Sequence, residues 1–264
     1  MAQFDVLTNT DDNAALPAVR TIDFSDLKDS LRSGLDDFLA WPTHAIFLCL
    51  IYPLVGLVLG GLALGYAVLP LLFPLAAGFA LLGPVAALMM YELSRRREHG
   101  QPASFNAALS VVRSPSFPAI VAIGLLLMAL FLVWIYVARE IYQSLFGVHA
   151  PASVGSFIQE VFTTSAGWRL ILYGNAAGFV FALAAFCISA ISFPLLLDRN
   201  VGAATALMTS LRAVMKNPVV MAAWGLIVAA LLVLGSLPFF VGLAVVMPVL
   251  GHATWHLYRK LVAH

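Results

Sequence analysis

Charged residues along this chain fall in short islands between long apolar runs. No Asp, Glu, Lys or Arg occurs between Phe38 and Tyr91, Ser114 and Ala138, Leu170 and Leu197, or Asn217 and Tyr258. A helix that crosses a bilayer needs about 20 apolar residues. The first and last runs are each long enough for two such helices and the middle two for one each, which predicts six spans. Turns are expected near Gly65–Pro70 and at "GSLPFF". In hydrocarbon the backbone must satisfy its own hydrogen bonds, so the spans are read as helices and not strands.

The pattern also repeats. Pro42, Pro115 and Pro218 open the odd-numbered spans. Seven, four and three residues before them stand Leu35, Phe38, Leu39; Ala108, Val111, Val112; and Leu211, Val214, Met215, the spacing of one helical face. The first stretch is the longest. Phe24, Leu27, Leu31, Leu35 and Phe38 form an apolar stripe, with Asp26, Lys28, Asp29, Arg32, Asp36 and Asp37 assigned to the opposite face. Such a helix lies flat in the membrane interface. Proline disfavours helix just before itself and suits the first turn after it.

Each even-numbered span carries a proline too: Pro84, Pro194 and Pro248. Glu92 follows at plus eight, Asp198 at plus four, and His252 and His256 at plus four and plus eight, offsets that keep roughly one face. The implied unit is an interfacial helix plus a two-helix hairpin. It occurs three times, over about 22–93, 102–198 and 199–260, as parallel repeats about an axis along the membrane normal. Residues 1–21 are expected to form a disordered cytoplasmic tail ahead of a single membrane domain, 22–264. The outer segment containing Phe157, Val161 and Phe162 is expected to hold a short interfacial helix of its own.

Composition sharpens this picture. The chain is 62% hydrophobic and 10% charged, against about 25% charged in soluble domains. It is therefore an all-α integral membrane protein, with the lipid bilayer as its first partner and no nucleic acid expected. Arg20, Lys28, Arg32, Arg95, Arg96, Arg97, Arg113, Arg199, Arg212, Lys216, Arg259 and Lys260 fall on one side, and only Arg139 and Arg169 on the other. The positive-inside rule then places both ends in the cytoplasm. Trp134, Tyr136, Tyr142, Trp168 and Tyr173 are expected to form an outer aromatic belt; Trp41, Tyr91, Trp255 and Tyr258 an inner one. The first residues lack a basic region followed by an apolar one, so no cleaved signal peptide is expected. Cys49 and Cys187 read as buried packing residues.

Two elements carry candidate chemistry. In "YELSRRRE", Glu92 stands three and four residues before Arg95 and Arg96, so pairing on one helix face is expected. The element reads as a boundary anchor, or as an anion or lipid-headgroup contact through Arg95, Arg96 and Arg97. In "GHATWHLYRK", His252 and His256 share a helix face, and His252 lies about 10 Å from Arg259 along the axis. They read as packing histidines, as a proton relay or gate, or as half of a metal or haem site. No H-E-x-x-H motif or cysteine partner completes a metal set, so no cofactor is predicted beyond that option. Glu92, Asp198, His252 and His256 lie at one depth and form a candidate polar centre. No catalytic residues are assigned: phosphate loops, nucleophile elbows and paired intramembrane acids are absent from the sequence.

The segments "YELSRRREHGQPASF" and "MPVLGHATWHLYRK" resemble a family of bacterial integral membrane proteins of unknown function, over about Ile22 to the C-terminus. Some of its members are labelled putative cytochrome c oxidase subunits. The resemblance implies a bacterial inner membrane location and at most a respiratory connection. Six spans, few intramembrane histidines and no copper-binding cysteine pair depart from a catalytic oxidase subunit, so no haem ligands carry over. The expected function is a non-enzymatic accessory or assembly component of a membrane complex, with a membrane-protein partner or a second copy of the chain. The alternatives are a small-solute or anion permeation protein and a haem- or metal-binding respiratory subunit.

Overall fold

The computed structural model describes residues 16–40, 69–81, 83–102, 104, 109–149, 151–237 and 240–263. The expected first span, with Trp41, Pro42, His44 and Cys49, lies outside the described residues, as does Ala108. Among the described residues the secondary structure is helical, apart from one isolated bridge between Val19 and Val262. Three helices are long and apolar enough to cross a membrane: Phe117–Phe146, Ser165–Asp198 and Pro218–Ser236. The chain forms two compact units. One draws on Met1–Pro53, Gly83–Leu125 and Phe186–His264; the other on Leu54–Leu82 and Leu126–Ala185.

The first unit starts with α1 (Phe24–Ala40). Asp23 caps it, its Oδ1 accepting the backbone N–H groups of Ser25 and Asp26. A short α2 (Leu72–Leu81) belongs to the second unit, and α3 (Gly83–Ala86) and α4 (Leu88–Glu98) to the first. A 3-10 turn, Leu109–Arg113, precedes α5 (Phe117–Phe146). After α6 (Val154–Thr163) come α7 (Ser165–Ser189) and α8 (Ser192–Asp198). The chain ends with α9 (Ala203–Lys216), α10 (Pro218–Ser236) and α11 (Leu243–Leu261).

The prolines act largely as expected. Pro218 occupies the first turn of α10, and Asn217 separates it from α9. Pro194 lacks an N–H and its ring crowds the carbonyl of Ala190, where the helix breaks between α7 and α8. Pro248 is accommodated inside α11. The span after Pro115 starts at Phe117 and runs past Arg139 and Glu140 to Phe146, so the helix outlasts its uncharged segment.

Within the first unit each stretch that precedes a proline packs on a helix from another part of the chain. α1 lies along α11, the 3-10 turn contacts α4, and α9 contacts α8. The helices α4, α8 and α11 also touch one another. The α1–α11 crossing is close: a Cβ on Gly34 would lie 2.5 Å from the Ala253 nitrogen and 2.7 Å from its Cα. The segment before α1 pairs with the other end of the described chain. Arg20 N–H donates to the Leu261 carbonyl at 2.7 Å, and Ala263 N–H to that of Ala18 at 2.9 Å. Buried Asn217 joins in, its Oδ1 accepting from Ile22 N–H and its Nδ2 donating to the Arg20 carbonyl. Paired backbone thus begins ahead of the expected Ile22 boundary.

The faces of α1 differ from the expected two. The side packed on the protein is Leu27, Ser30, Gly34, Asp37 and Phe38, whereas Phe24, Leu35 and Leu39 point outward. The third sector, with Lys28, Asp29, Arg32 and Asp36, is exposed and polar. Three residues before their prolines, Leu39, Val112 and Met215 are 62%, 57% and 69% exposed. Phe38 and Val111, four before, are buried. These apolar side chains are left on the outside, while on α1 the small residues Ser30 and Gly34 are on the packed face. The middle stretch is a 3-10 turn over its described residues, Leu109–Arg113.

Several aromatics expected at the interfaces are core residues. Tyr91, Trp255 and Tyr258 are buried, with Trp255 Nε1–H donating to Glu98 Oε2 at 3.1 Å. In the second unit Trp134 is buried and donates to the Pro74 carbonyl at 2.9 Å, while Tyr136, Trp168 and Tyr173 remain exposed. A Cβ on Gly78 would collide with Phe131 and Trp134, so that glycine makes room for the indole. The expected outer helix is α6, opened by a reciprocal Ser153–Ser156 capping box.

Gly34→Val is expected to force α1 away from α11 and to destabilise the protein by about 1–3 kcal/mol, the usual cost of overpacking. Thermal unfolding in detergent measures it, with Gly174→Val as the control, because a Cβ there meets nothing within 4 Å.

Candidate functional site

The side chains with the richest chemistry gather where α1, α4 and α11 meet. The spacing Leu27, Ser30, Gly34, Asp37 brings the Asp37 carboxylate onto the packed face of α1, where it is 4% exposed. Ser94 Oγ donates to Asp37 Oδ2 at 2.5 Å, and His256 Nε2 lies 2.8 Å from the same oxygen. Arg97 donates from one nitrogen to Asp37 Oδ1 at 2.7 Å and to the Asp36 carbonyl at 2.8 Å. His252, 2% exposed, places Nδ1 2.7 Å from Ser94 Oγ and 3.9 Å from Asp37 Oδ2. Ser94 has one hydroxyl proton and it points to Asp37, so His252 Nδ1–H is the donor in the serine–histidine contact. The result is a hydrogen-bond chain from His252 through Ser94 to Asp37, where His256 and Arg97 also converge.

Burial works to raise the Asp37 carboxyl. The hydrogen bonds from His256 and Ser94, with the charges of His256 and His252, outweigh it and hold the group below the ordinary aspartate value. The carboxylate is the acceptor on which all these donors depend.

The other expected site residues are elsewhere. Glu92 is buried and turns to its own arginines. Arg95 binds both its oxygens, at 2.8 and 3.0 Å, and Arg96 Nε donates to Oε1 at 2.7 Å. Ser110 completes that cluster, accepting from Arg96 at 3.1 Å. Glu92 holds the Arg95 guanidinium above its ordinary value, against the effect of burial. Asp198 accepts from the Tyr258 hydroxyl at 2.5 Å and from Arg259 at 3.4 Å, and Arg259 also pairs with Glu98. Lys260 reaches back to Asp26 and Asp29. The four residues expected to share one polar centre are therefore divided. His252 and His256 stay together, while Glu92 and Asp198 join separate ion-pair clusters and line one cavity of about 410 Å³ with Arg95, Arg113 and Arg199.

Arg95, Arg96 and Arg97 each hold a carboxylate of the protein. Among the described residues no group of three His, Cys, Asp or Glu side chains is placed to hold a metal. Sequence reasoning missed Asp37 and Ser94 as partners of the histidines. The available signal was Asp37 continuing the small-residue spacing of Ser30 and Gly34, which a purely apolar stripe overlooks.

Residues 71–198 match the family described as predicted integral membrane protein (DUF2189). The chain is an integral membrane protein, and over these residues it is similar to that uncharacterised family, in line with the resemblance. The match contains the "YELSRRREHG" element with Glu92 and its arginines and stops before the histidines of α11. No curated protein and no solved structure matches the chain.

Asp37→Asn is expected to lower stability by about 2–4 kcal/mol, since it removes one partner of a buried cluster whose Arg97 is partly exposed. In the unaltered protein the depressed carboxyl contributes fully above the unfolded value of about pH 4. That contribution is lost as pH falls through the depressed value. Unfolding midpoints measured from pH 7 to pH 3 should therefore fall more steeply for the unaltered chain than for Asp37→Asn.

Proposed function

We propose that this protein is a non-enzymatic, six-span component of the bacterial inner membrane, an accessory or assembly subunit of a larger membrane complex, with both ends cytoplasmic. The observation that carries this reading is the Asp37 cluster. Its acid, hydroxyl and two imidazoles bind three helices together and satisfy one another, which suits a structural junction better than a site awaiting substrate. The other clusters are likewise satisfied within the protein: Asp198 pairs α8 with Arg259 of α11, and Glu92 pairs with Arg95 and Arg96 on its own helix, from which Arg96 reaches Ser110 of the 3-10 turn.

Three parallel repeats, over about 22–93, 102–198 and 199–260, are part of the proposal. In their favour, the stretch before each proline packs on the even-numbered helix of the preceding repeat, with the first packing on the last. The pairing of residues 18–20 with 261–263 supports placing both ends on one side of the membrane. The excess of Lys and Arg on that side supports the cytoplasm. The outward apolar residues of α1 and α9 support interfacial helices at that surface.

The test is purification of the tagged full chain from native membranes in a mild detergent. A defined membrane-protein partner is expected to co-purify in fixed ratio. Repeated recovery of the chain alone, or only with copies of itself, would count against an accessory role.

A further inference from the structure

We infer that the cavity between α4, the 3-10 turn with the Ser114–Ser116 segment that leads into α5, and the end of α8 binds a phosphate group. The cavity, of about 410 Å³, brings Arg95, Arg113 and Arg199 together against two carboxylates, Glu92 and Asp198. Both acids are already held from outside this trio as well as within it: Glu92 by Arg96, and Asp198 by Tyr258 and Arg259. The lining therefore keeps a positive surplus. Arg113 is its source, being exposed and in no ion pair among the described residues.

The wall is built for polar contact. Ser114 Oγ accepts the Ser116 N–H at 3.2 Å, which leaves its own proton for a ligand. Buried Ser116 turns its hydroxyl to the Arg199 carbonyl and to Asn200 Oδ1, tying the start of α5 to the end of α8. Arginine suits this task because its planar fork matches phosphate oxygens in pairs. The position also suits a phosphate that carries acyl chains. Val121 and Leu125, one helical turn apart on the membrane helix α5 that follows the Ser114–Ser116 wall, are exposed. The ligand chemistry is a phosphate, from a lipid headgroup or free in solution. This inference does not rest on the accessory role proposed above.

Full-length protein in neutral detergent is titrated with phosphatidylglycerol in mixed micelles and, separately, with inorganic phosphate. Arg113→Gln is expected to weaken binding about tenfold, the loss of one charge-assisted contact, and Arg113→Lys to recover part of it. Ser114→Asp, which adds a negative charge and removes no arginine, should weaken binding as well, and it carries the test if Arg113→Gln fails to fold by circular dichroism. Arg212→Gln, an exposed cation on α9, should change nothing. Competition by millimolar phosphate assigns the site to free phosphate; lipid binding without such competition assigns it to a headgroup. The inference is overturned if the unaltered protein binds neither probe, if Arg113→Gln and Ser114→Asp bind as it does, or if Arg212→Gln weakens binding equally.

Discussion

The carboxylate of Asp37, taken out of water at the meeting of three helices, is the interaction on which the arrangement of the first unit depends. Burying such a charge costs several kcal/mol unless it is paired and hydrogen-bonded. Its partners come from two other helices, Ser94 and Arg97 from α4 and His256 from α11. Satisfying it therefore fixes α1 against both. The same contact requires small residues on α1, because a side chain larger than hydrogen at Gly34 would meet the backbone of Ala253. With its packed face set by Ser30, Gly34 and Asp37, α1 has its remaining apolar residues, Phe24, Leu35 and Leu39, turned outward.

The basic residues at this end serve two purposes at once. A run such as Arg95, Arg96 and Arg97 is the feature from which the positive-inside rule predicts orientation, and each member also closes an ion pair. Successive helical positions point in different directions. Arg95 and Arg96, three and four residues past Glu92, fold back to it, while Arg97 reaches Asp37 on α1. Glu98 in turn holds Arg259 and receives the Trp255 indole N–H. The charged layer thus combines pairs within α4 with fastenings between helices, and Arg113 is the cation of the cavity lining that closes no ion pair among the described residues.

Some of this was legible along the chain. Three of the four long uncharged segments hold the helices long and apolar enough to cross a membrane, and Pro218 and Pro194 marked a helix start and a helix break, because a missing N–H acts locally. The pairing of Glu92 with Arg95 and Arg96 followed from spacing on a single helix. The partners of His252 and His256 did not, since they stand 158 and 219 residues away, at Ser94 and Asp37. Tyr91, Trp255 and Tyr258 misled for a related reason. Their amphipathic rings suit an interface and also suit a core that supplies an acceptor, and local sequence does not distinguish the two.

What the sequence by itself determined is the membrane character, the helical class and the local pairs, since these depend on composition and on contacts within about one helical turn. Only the tertiary structure decided which polar residues meet. Glu92, Asp198, His252 and His256 were expected to share a depth, but depth leaves rotation about each helix axis undetermined. That rotation is set by packing: the approach of Gly34 to Ala253 turns Asp37 toward the histidines, and the pull of its neighbouring arginines holds Glu92 in a different cluster.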